Sequence, residues 1–395
     1  MATTANADVI KPGTTRAPVP PFTAEHEELR ATCRRFVATE LAPHAARWEQ
    51  ERWFPDDVFA KMAAVGLLGL KYPEELGGQG GDYVHDAVLT EELARCGSGG
   101  LAAGIGAHIG IATPPVFKFG TQEQKERWLV PAIRGESIGA LAITEPDAGS
   151  DVAGIKTRAE KVDGGWVVNG SKMYITNGVR AGFYVTAVRT GTDARHAGIS
   201  FLVVEPQAGV TTSKIEKLGW HASDTALVAL EDVFVREEHL LGELDGGFKL
   251  IMANFQWERL LMALGSVSGA QAAFEKTLEY VGERRAFGRP IGKFQSTRHK
   301  LANCAVRIEA GRSLTYHALR LFHAGIDATQ EVTMAKLATQ RMAYEVIDDC
   351  LQLHGGAGYM AEYPMERALR DARLGPIGGG TDEIMKEILG KTMGL

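Results

Sequence analysis

The chain has 395 residues, more than one ordinary hydrophobic core accommodates, so two or three packed domains are expected. Apolar residues make up 45% and charged residues 23% of the chain, a composition typical of soluble globular proteins. The formal net charge of −6 argues against a nucleic-acid-binding surface, because phosphate binding needs a basic patch and no run of Lys and Arg occurs.

The cysteines and the N-terminus bear on the cellular compartment. The cysteines form no C-x-x-C pair, which predicts free thiols, a reducing compartment and no cysteine-based zinc site: Cys33, Cys96, Cys304 and Cys350. The first twenty residues contain no apolar signal-peptide core, and the sequence contains no uninterrupted run of eighteen apolar residues. We therefore expect a flexible leader over residues 1–20, a cytoplasmic location and no membrane insertion.

Helical patterns fill residues 21–137, which we predict to form an N-terminal helical domain. Thr23 can cap the first helix, and Thr121 can cap another that runs to about residue 134. Between them lies the small-residue run "GSGGLAAGIGAHIG", residues 97–110. Small residues either allow a close helix contact or leave an open space beside the helix, and the close contact is the favoured interpretation.

From residue 138 to residue 242 the pattern changes to short strands. The β-rich runs are "IGALAIT", "WVVNGSKMYIT", "GFYVTAVRT", "ISFLVVE" and "TALVALEDVFV". Turn residues separate them, which predicts an antiparallel barrel or sandwich. Helical patterns resume over residues 243–395, so the chain is predicted to be an α+β multi-domain protein: an N-terminal helical domain, a middle antiparallel β-domain and a C-terminal helical domain.

A long helix is predicted at the start of the C-terminal domain, within residues 246–295. Larger apolar residues recur there at spacings of three, four and seven: Leu260, Leu264, Val267, Phe274, Leu278 and Val281. Glu258 does not fit, because its carboxylate would point along an apolar line that contains Phe255 and Met262. The alternative is a surface glutamate paired with Arg259 or Lys249.

The sequence lacks the commonest catalytic and nucleotide-binding signatures. It contains no G-x-G-x-x-G, no P-loop, no G-x-S-x-G and no H-E-x-x-H. Five polar or Gly-rich segments remain as candidate ligand sites: residues 142–151, 172–178, 283–295, 352–358 and 378–383.

Three of these segments carry residues suited to a ligand. Gly149 lets the backbone approach a ligand closely, although a plain polar turn is the alternative. Tyr174 and Thr176 stand two residues apart on a strand, so they share an orientation and suit a flat heterocycle. Arg284 offers a cation beside Phe287, although a helix C-terminus also favours such a charge.

The motifs "TEPDAGSD", "YITNG", "ERRAFG", "QLHGGAGY", "EYPMERALRDAR" and "GGTDEI" resemble those of the acyl-CoA dehydrogenase family. Each motif is weak alone, but all six occur in the family's order, and the resemblance covers almost the whole chain after the leader. It implies a C-terminal four-helix bundle, bound FAD, and a homotetramer or homodimer in which one FAD touches two subunits. It also implies a role in fatty acid β-oxidation, with an acyl-CoA substrate and electron-transfer flavoprotein as partner.

The resemblance implies the following FAD contacts within one subunit. Leu141, Ile143 and Thr144 would line the isoalloxazine ring. Gly149 and Ser150 would lie at the flavin phosphate and at the substrate entry.

Further FAD contacts follow from the same resemblance. Tyr174, where many relatives have Trp, would cover the ring with Thr176, which would bond its N5 side. Thr381 and Glu383 would hold the FAD of their own subunit. The remaining residues would reach the FAD of a neighbouring subunit: Arg284, Phe287, Gln295, Gln352 and Gly356.

One departure from the family pattern concerns the catalytic base. Most members place a glutamate where this sequence has Gly379, which has no side chain. A minority, including isovaleryl-CoA and long-chain enzymes, place it on the first long helix of the C-terminal domain before an Arg, here Glu258 before Arg259. The resemblance thus implies Glu258 as base and the Gly379 N–H as donor to the substrate thioester. Arg259 is assigned to the substrate site, where it supports the helix and the electrostatics.

Three activities stay open at the level of sequence. The favoured one is α,β-dehydrogenation of a fatty acyl-CoA to trans-2-enoyl-CoA, and the second is an oxygen-using flavoenzyme such as an acyl-CoA oxidase or flavin monooxygenase. The third is a non-catalytic acyl-CoA- or flavin-binding protein, which Gly379 favours and Glu258 opposes. The small residues 97–110 are predicted to leave the acyl cavity deep, so medium to long or bulky chains are expected.

Overall fold

The computed structural model of the chain describes residues 19–191 and 196–395. Residues 1–18, most of the predicted leader, lie outside this description. The N-terminal part is helical: α1 (Ala24–Phe36), α2 (Ala45–Glu51), α3 (Asp57–Ala64), α4 (Tyr83–Leu93), α5 (Gly99–Gly106), α6 (Thr113–Phe119), α7 (Gln122–Gln124) and α8 (Val130–Ile133). Both predicted caps are confirmed, since Thr23 and Thr121 are the N-cap residues of α1 and α7.

The small-residue run packs closely at most of its contacts. A Cβ atom added to Gly104 would lie 2.7 Å from Phe54 Cε1, and one added to Gly110 would lie 2.4 Å from Leu261 Cδ1. At Gly106 a Cβ atom would meet nothing within 4 Å. The close-contact interpretation therefore holds at Gly104 and Gly110, while Gly106 faces open space.

The helical run Gly99–Phe119 is the one stretch among the described residues that is long and apolar enough to cross a membrane. Buried positions make up 72% of its most apolar part, which is how a core helix packs inside a protein.

The middle of the chain forms an eight-stranded sheet with the strand order β6-β7-β3-β2-β4-β5-β8, and β1 pairs with β4. Its strands are β1 (Gly139–Ala142), β2 (Arg158–Val162), β3 (Gly165–Thr176), β4 (Phe183–Arg189), β5 (Ile199–Val204), β6 (Val210–Lys214), β7 (Thr225–Arg236) and β8 (Leu240–Leu241). Most pairings are antiparallel as predicted, but β1 and β2 both pair with β4 in parallel. The β2–β3 hairpin supplies the long connection that a parallel β1–β4 pair requires.

The C-terminal part is a helical bundle followed by two shorter helices: α9 (Gly247–Glu283), α10 (Gln295–His323), α11 (Thr329–His354), α12 (Pro364–Ala372) and α13 (Asp382–Thr392). Helices α9, α10 and α11 pack against one another, and α13 packs against α11 as the fourth helix. A hairpin of two short strands, β9 (Arg285–Ala286) and β10 (Arg289–Pro290), joins α9 to α10.

The N-terminal helices and the bundle share one hydrophobic core. Phe54 and Ile105 from the N-terminal part lie in the same buried cluster as Trp257, Leu264 and Leu319 from α9 and α10. Because α9 is buried on that side, its opposite side is positioned rigidly for a site.

Candidate active site

Glu258 lies on α9 with its carboxyl group turned into the protein. Its Oε2 atom is buried and has no hydrogen-bond partner among residues 19–191 and 196–395. Within the same residues, Glu258 forms no ion pair with Arg259 or Lys249, and its carboxyl group is buried, so the interpretation as a surface ion pair is wrong. A buried carboxyl without a partner is costly for stability, which is typical of a functional group.

Burial sets the charge state of this carboxyl group. Loss of solvent raises the pKa of Glu258 to about 7, and the nearby cations of Arg259 and Lys336 lower that pKa only in part. Burial likewise lowers the pKa of Arg259, and it lowers the pKa of Lys336 to about 8. A carboxyl group with a pKa near neutrality is a stronger base than an ordinary glutamate.

Gly379 faces the same space as Glu258. A Cβ atom on Gly379 would lie 3.7 Å from Glu258 Oε1 and 2.5 Å from Met262 Sδ, and the residue has φ +61°. Arg259 Nε donates a hydrogen bond to the Gly379 carbonyl oxygen at 3.2 Å. The Gly379 N–H has no acceptor within the described part of the chain, so it is free to donate to a ligand.

Thr381 and Glu383 lie at the start of α13, directly after this glycine turn. Thr381 is the N-cap of α13, and its hydroxyl accepts a hydrogen bond from the Ile384 N–H at 3.3 Å. Glu383 is exposed in the first turn of the helix. The N-terminus of α13 thus carries the exposed carboxylate of Glu383 and the Thr381 hydroxyl, which already accepts a backbone hydrogen bond.

The β1 end and the turn after it are held by a buried lysine. Lys172 Nζ donates to the Ile143 carbonyl oxygen at 3.0 Å and to Glu145 Oε1 at 2.7 Å. Thr144 accepts the Met173 N–H at 2.8 Å through its carbonyl oxygen, so strand β3 also holds this turn. The anchored segment presents three residues at or near the surface: half-buried Leu141 and exposed Gly149 and Ser150.

Tyr174 lies within an irregularity in β3, and Thr176 follows it. The β3–β7 register shifts between Lys172 and Ile175, and Tyr174 has φ +63°. Strict alternation is therefore broken at this point, so the spacing argument alone does not fix the orientation of Tyr174. The side chain of Tyr174 is nonetheless 61% exposed, while Ile175 is buried and Thr176 is half-buried.

The five residues predicted to reach a neighbouring subunit lie on the surface of this chain: Arg284, Phe287, Gln295, Gln352 and Gly356. Phe287 is 94% exposed with φ +50°, at the tip of the β9–β10 hairpin. Tyr280 stacks on His354 with ring centroids 4.2 Å apart, which brings the ends of α9 and α11 together. The hairpin and the α11 end therefore share one end of the bundle.

Sequence reasoning missed two buried lysines that support the site. Lys336 is fully buried on α11 and donates a hydrogen bond to the Gly380 carbonyl oxygen at 2.5 Å. Lys172 is also fully buried and anchors the turn after β1. In both cases the available signal was a lone Lys among mostly uncharged residues. A lysine that is fully buried in such a segment almost always has a specific partner.

Comparison with known proteins matches each part of this architecture. The N-terminal, middle and C-terminal domains described for acyl-CoA dehydrogenases match residues 23–136, 140–233 and 245–394. The chain belongs to the acyl-CoA dehydrogenase family. The enzyme class and fold predicted from the sequence are thereby confirmed, and so is FAD, the cofactor of this family.

Individual relatives cover nearly the full chain of this acyl-CoA dehydrogenase. Mitochondrial isovaleryl-CoA dehydrogenase of Solanum tuberosum is 37% identical over 94% of this chain and 91% of its own length. Mitochondrial long-chain specific acyl-CoA dehydrogenase of Mus musculus is 38% identical over 94% of this chain and 86% of its own length. A solved acyl-CoA dehydrogenase from Geobacillus kaustophilus is 40% identical and covers 96% of this chain and 100% of its own, with a TM-score of 0.93.

The described residues fit a flavin dinucleotide. Tyr174 and Phe287 expose aromatic faces, and the turn at Gly149 and Ser150 is open to a phosphate. The unpaired Gly379 N–H, with the glutamate beside it, offers a polar group to a bound molecule. The family's cofactor and substrate therefore meet suitable groups in this chain.

Proposed function

We propose that this acyl-CoA dehydrogenase converts a medium- to long-chain or branched acyl-CoA into the trans-2-enoyl-CoA and passes the electrons to electron-transfer flavoprotein. The observation that carries the proposal is Glu258, whose buried carboxyl group faces the same space as Gly379 and has a pKa raised to about 7. The nearby backbone N–H supplies a donor for the oxygen of a thioester.

The chain's residues divide the work of the reaction. Glu258 removes the α-proton of the acyl group, and its raised pKa reduces the mismatch with a carbon acid. The Gly379 N–H donates to the thioester oxygen as negative charge develops there, and a donor of this kind contributes about 3 to 4 kcal/mol. Arg259 positions this donor by holding the Gly379 carbonyl oxygen. FAD, when bound, supplies the acceptor for the β-hydride.

Anaerobic mixing with acyl-CoA tests the assignment of the base. The wild-type flavin should bleach on addition of substrate, whereas Glu258→Gln should bleach at least about 100-fold more slowly while still binding FAD. Glu279→Gln, an exposed glutamate on the same helix, is the matched control and should bleach at the wild-type rate. Wild-type bleaching rates in Glu258→Gln would refute Glu258 as base.

The electron acceptor is tested separately from the chemistry at the acyl group. With electron-transfer flavoprotein present, turnover should reduce that partner, and oxygen uptake on adding acyl-CoA should be minor. Substrate-dependent oxygen uptake matching product formation would identify the oxygen-using alternative. Both outcomes require that the substrate first reduces the flavin. The test therefore distinguishes only between electron-transfer flavoprotein and oxygen as the electron acceptor.

Gly106 bears on the length of acyl chain that the site accepts. Gly106 faces open space next to close-packed Gly104, so we infer that it lies at the acyl cavity and contributes to its depth. The wild type should prefer medium to long or bulky acyl chains, and Gly106→Leu should shift the optimum to shorter ones. A wild-type optimum at four or five straight-chain carbons would contradict the deep cavity.

We further propose that the chain acts as a homotetramer or homodimer in which Phe287 and Arg284 contact the FAD of a neighbour. The exposed aromatic tip supports this, since an isolated Phe in solvent is unfavourable. Arg284→Ala should lower the FAD content of the purified oligomer, as measured by absorbance against protein mass. A cytoplasmic location stays a prediction that fractionation can check.

A further inference from the structure

Gly379 and Gly380 form a turn of two consecutive left-handed residues, with φ +61° and +100°. Glycine loses more conformational freedom on folding than other residues, so two in succession do not fix a turn by themselves. The proposed function nevertheless requires the Gly379 N–H to point at the oxygen of a thioester. The direction of this N–H therefore depends on groups outside the turn.

Two cations from different helices hold the peptide groups that follow the Gly379 N–H. Arg259 Nε on α9 donates to the Gly379 carbonyl oxygen at 3.2 Å. Lys336 Nζ on α11 donates to the Gly380 carbonyl oxygen at 2.5 Å. These carbonyl groups belong to successive peptide planes. A rotation that redirects the Gly379 N–H displaces these planes, so it must stretch or break hydrogen bonds made by charged donors, which are the stronger kind.

Lys336 is directed at the turn rather than at a carboxylate. Its side chain is fully buried, and the Gly380 carbonyl oxygen is its one hydrogen-bond acceptor among residues 19–191 and 196–395. Within these residues it forms no ion pair shorter than 4 Å. Burial of an ammonium group beside a backbone carbonyl is costly for stability, and such a cost is typical of a residue that a functional site requires.

The charged groups around Lys336 come from three helices: Asp382 of α13, Arg259 and Glu258 of α9, and Arg341 of α11. Burial lowers the pKa of Lys336 to about 8, although the two carboxyl groups act in the opposite direction. Lys336 in turn lowers the pKa of Glu258 against the larger effect of burial. Loss of Lys336 should therefore raise the pKa of Glu258 further, a consequence that is separate from the direction of the Gly379 N–H.

We propose that Lys336 is a positioning residue for the dehydrogenation: by holding the Gly380 carbonyl oxygen, it directs the Gly379 N–H at the thioester oxygen of the substrate. This inference rests on the proposed function. Lys336 touches neither the substrate nor the base, and it acts through the backbone of the turn. A donor that is misplaced by about 1 Å can cost about 100-fold in rate, so a residue in this position affects the reaction without contact to the reacting atoms.

The absorption spectrum of bound cinnamoyl-CoA, an analogue of the enoyl product, tests the position of the donor without turnover. A hydrogen bond to the thioester oxygen shifts the absorption of the conjugated acyl group to longer wavelength. Lys336→Met has a similar volume and removes both the donor and the charge. With saturating ligand on the FAD holoenzyme, the wild type should show this shift and Lys336→Met should lose most of it. Flavin reduction by acyl-CoA should be about 10- to 100-fold slower in the variant.

Thr339→Val is the matched control on the same helix. Thr339 is fully buried, and its hydroxyl donates to the Ala335 carbonyl oxygen of its own helix at 2.7 Å. Its methyl group faces Gly311 of α10, away from the glycine turn. The control thus perturbs a buried polar group of α11 without touching the turn, and its spectrum and reduction rate should equal those of the wild type.

The pH profile of flavin reduction separates positioning from charge. In Lys336→Met the midpoint of the profile should move to higher pH, and the rate should stay below that of the wild type even on the plateau above the midpoint. The wild-type absorption shift in Lys336→Met would overturn the proposal, whatever the midpoint does, because Lys336 would then be only a charge near the base.

A second variant covers loss of the fold, and the wild type separates this inference from the proposed function. If Lys336→Met does not fold or does not bind FAD, Lys336→Gln decides by the same spectrum, since its amide keeps a polar group at this position but is shorter. Failure of both variants to fold would overturn the proposal, because Lys336 would then stabilise the whole protein. Absence of flavin bleaching in the wild type would refute the proposed function itself. Normal bleaching without an absorption shift in the wild type would refute only the donor and its positioning.

Discussion

At the scale of single residues, the site is built from groups whose surroundings work against stability. Glu258 carries an unpaired buried carboxyl oxygen, and Gly379 has a left-handed backbone that favours glycine. Lys336 is fully buried on α11, and burial lowers its pKa to about 8. Such local costs persist where function requires them.

The pH dependence of activity follows from the pKa of Glu258. The base must be ionised, and its pKa is raised to about 7 by burial, so kcat/KM should rise about tenfold per pH unit below 7 and level off above it. Stopped-flow reduction of the flavin from pH 5 to pH 9 measures this profile. A flat profile down to pH 5 would show that the free enzyme has an ordinary glutamate pKa.

The same residue should lower stability at neutral pH. A carboxyl whose folded pKa is raised from 4.5 to about 7 favours the folded state below pH 4.5, and this contribution is lost as pH rises through 7. The loss is about 3 kcal/mol in the free energy of unfolding. Glu258→Gln should therefore be more stable than the wild type at pH 8 and nearly equal near pH 4.5, by urea unfolding without substrate. A variant less stable at pH 8 would contradict this.

Moving the base to residue 379 should restore little activity by itself. Gly379→Glu in the Glu258→Gln background needs a side chain at φ +61° and a Cβ atom 2.5 Å from Met262 Sδ. Adding Met262→Ala removes that overlap, so the triple variant should turn over faster than the double variant. The rates of acyl-CoA turnover of Glu258→Gln, the double variant and the triple variant are compared. Full activity in the double variant would show that the backbone at Gly379 adapts to the new side chain.

The sequence predicts these residues unequally. Glu258 stood out because it interrupts an apolar helical face, and the family resemblance supplied its role. Lys336 did not stand out, because its acceptor at Gly380 lies 44 residues later and only tertiary packing brings the two together.

At the scale of elements, helix α9 is positioned by close contact with the small-residue segment. Gly110 allows Leu261, one turn after Glu258, to approach that segment closely. The sequence predicted this contact in kind, since small residues permit backbone approach. The sequence did not predict which glycines of this segment contact another element and which lie beside open space, because that depends on the position of the neighbouring helix.

Two alanine substitutions should separate packing from helix propensity. Gly110→Ala places a Cβ atom 2.4 Å from Leu261 Cδ1 and should lower the free energy of unfolding by about 1 to 3 kcal/mol. Gly106→Ala meets nothing within 4 Å and should be neutral or stabilising by up to about 1 kcal/mol. Urea unfolding of both variants measures the difference, and equal effects would mean that the contact adapts at no cost.

The sheet shows where strand patterns stop being informative. Alternation predicted the strands and most antiparallel pairs, but not the parallel pairing of β1 with β4 or the bulge before Ile175. Both depend on contacts between distant strands. The bulge includes exposed Tyr174, which has φ +63° there.

At the scale of the whole molecule, Asp371 joins the three domains at one point. From α12 it accepts the Gly99 N–H at 2.9 Å and the Trp220 N–H at 2.6 Å, which belong to the N-terminal and middle parts. Glu49 accepts the Ala222 N–H at 3.1 Å beside it. Burial and the charge of Glu49 raise the pKa of Asp371 to about 6, so at neutral pH the acceptor is the carboxylate.

Asp371→Ala should loosen the domains together rather than one at a time. It leaves two half-buried N–H groups without their acceptor, at a cost of up to about 1 to 3 kcal/mol each, and it relieves the repulsion from Glu49. Because the three domains meet at this carboxylate and α9 shares the N-terminal core, we expect a single unfolding transition at lower Tm and increased hydrogen exchange around both Gly99 and Trp220. Asp348→Ala, an exposed aspartate on α11, should leave both measurements unchanged. Increased exchange confined to α12 would show that Asp371 stabilises its own helix only, and that the other contacts between domains hold them together.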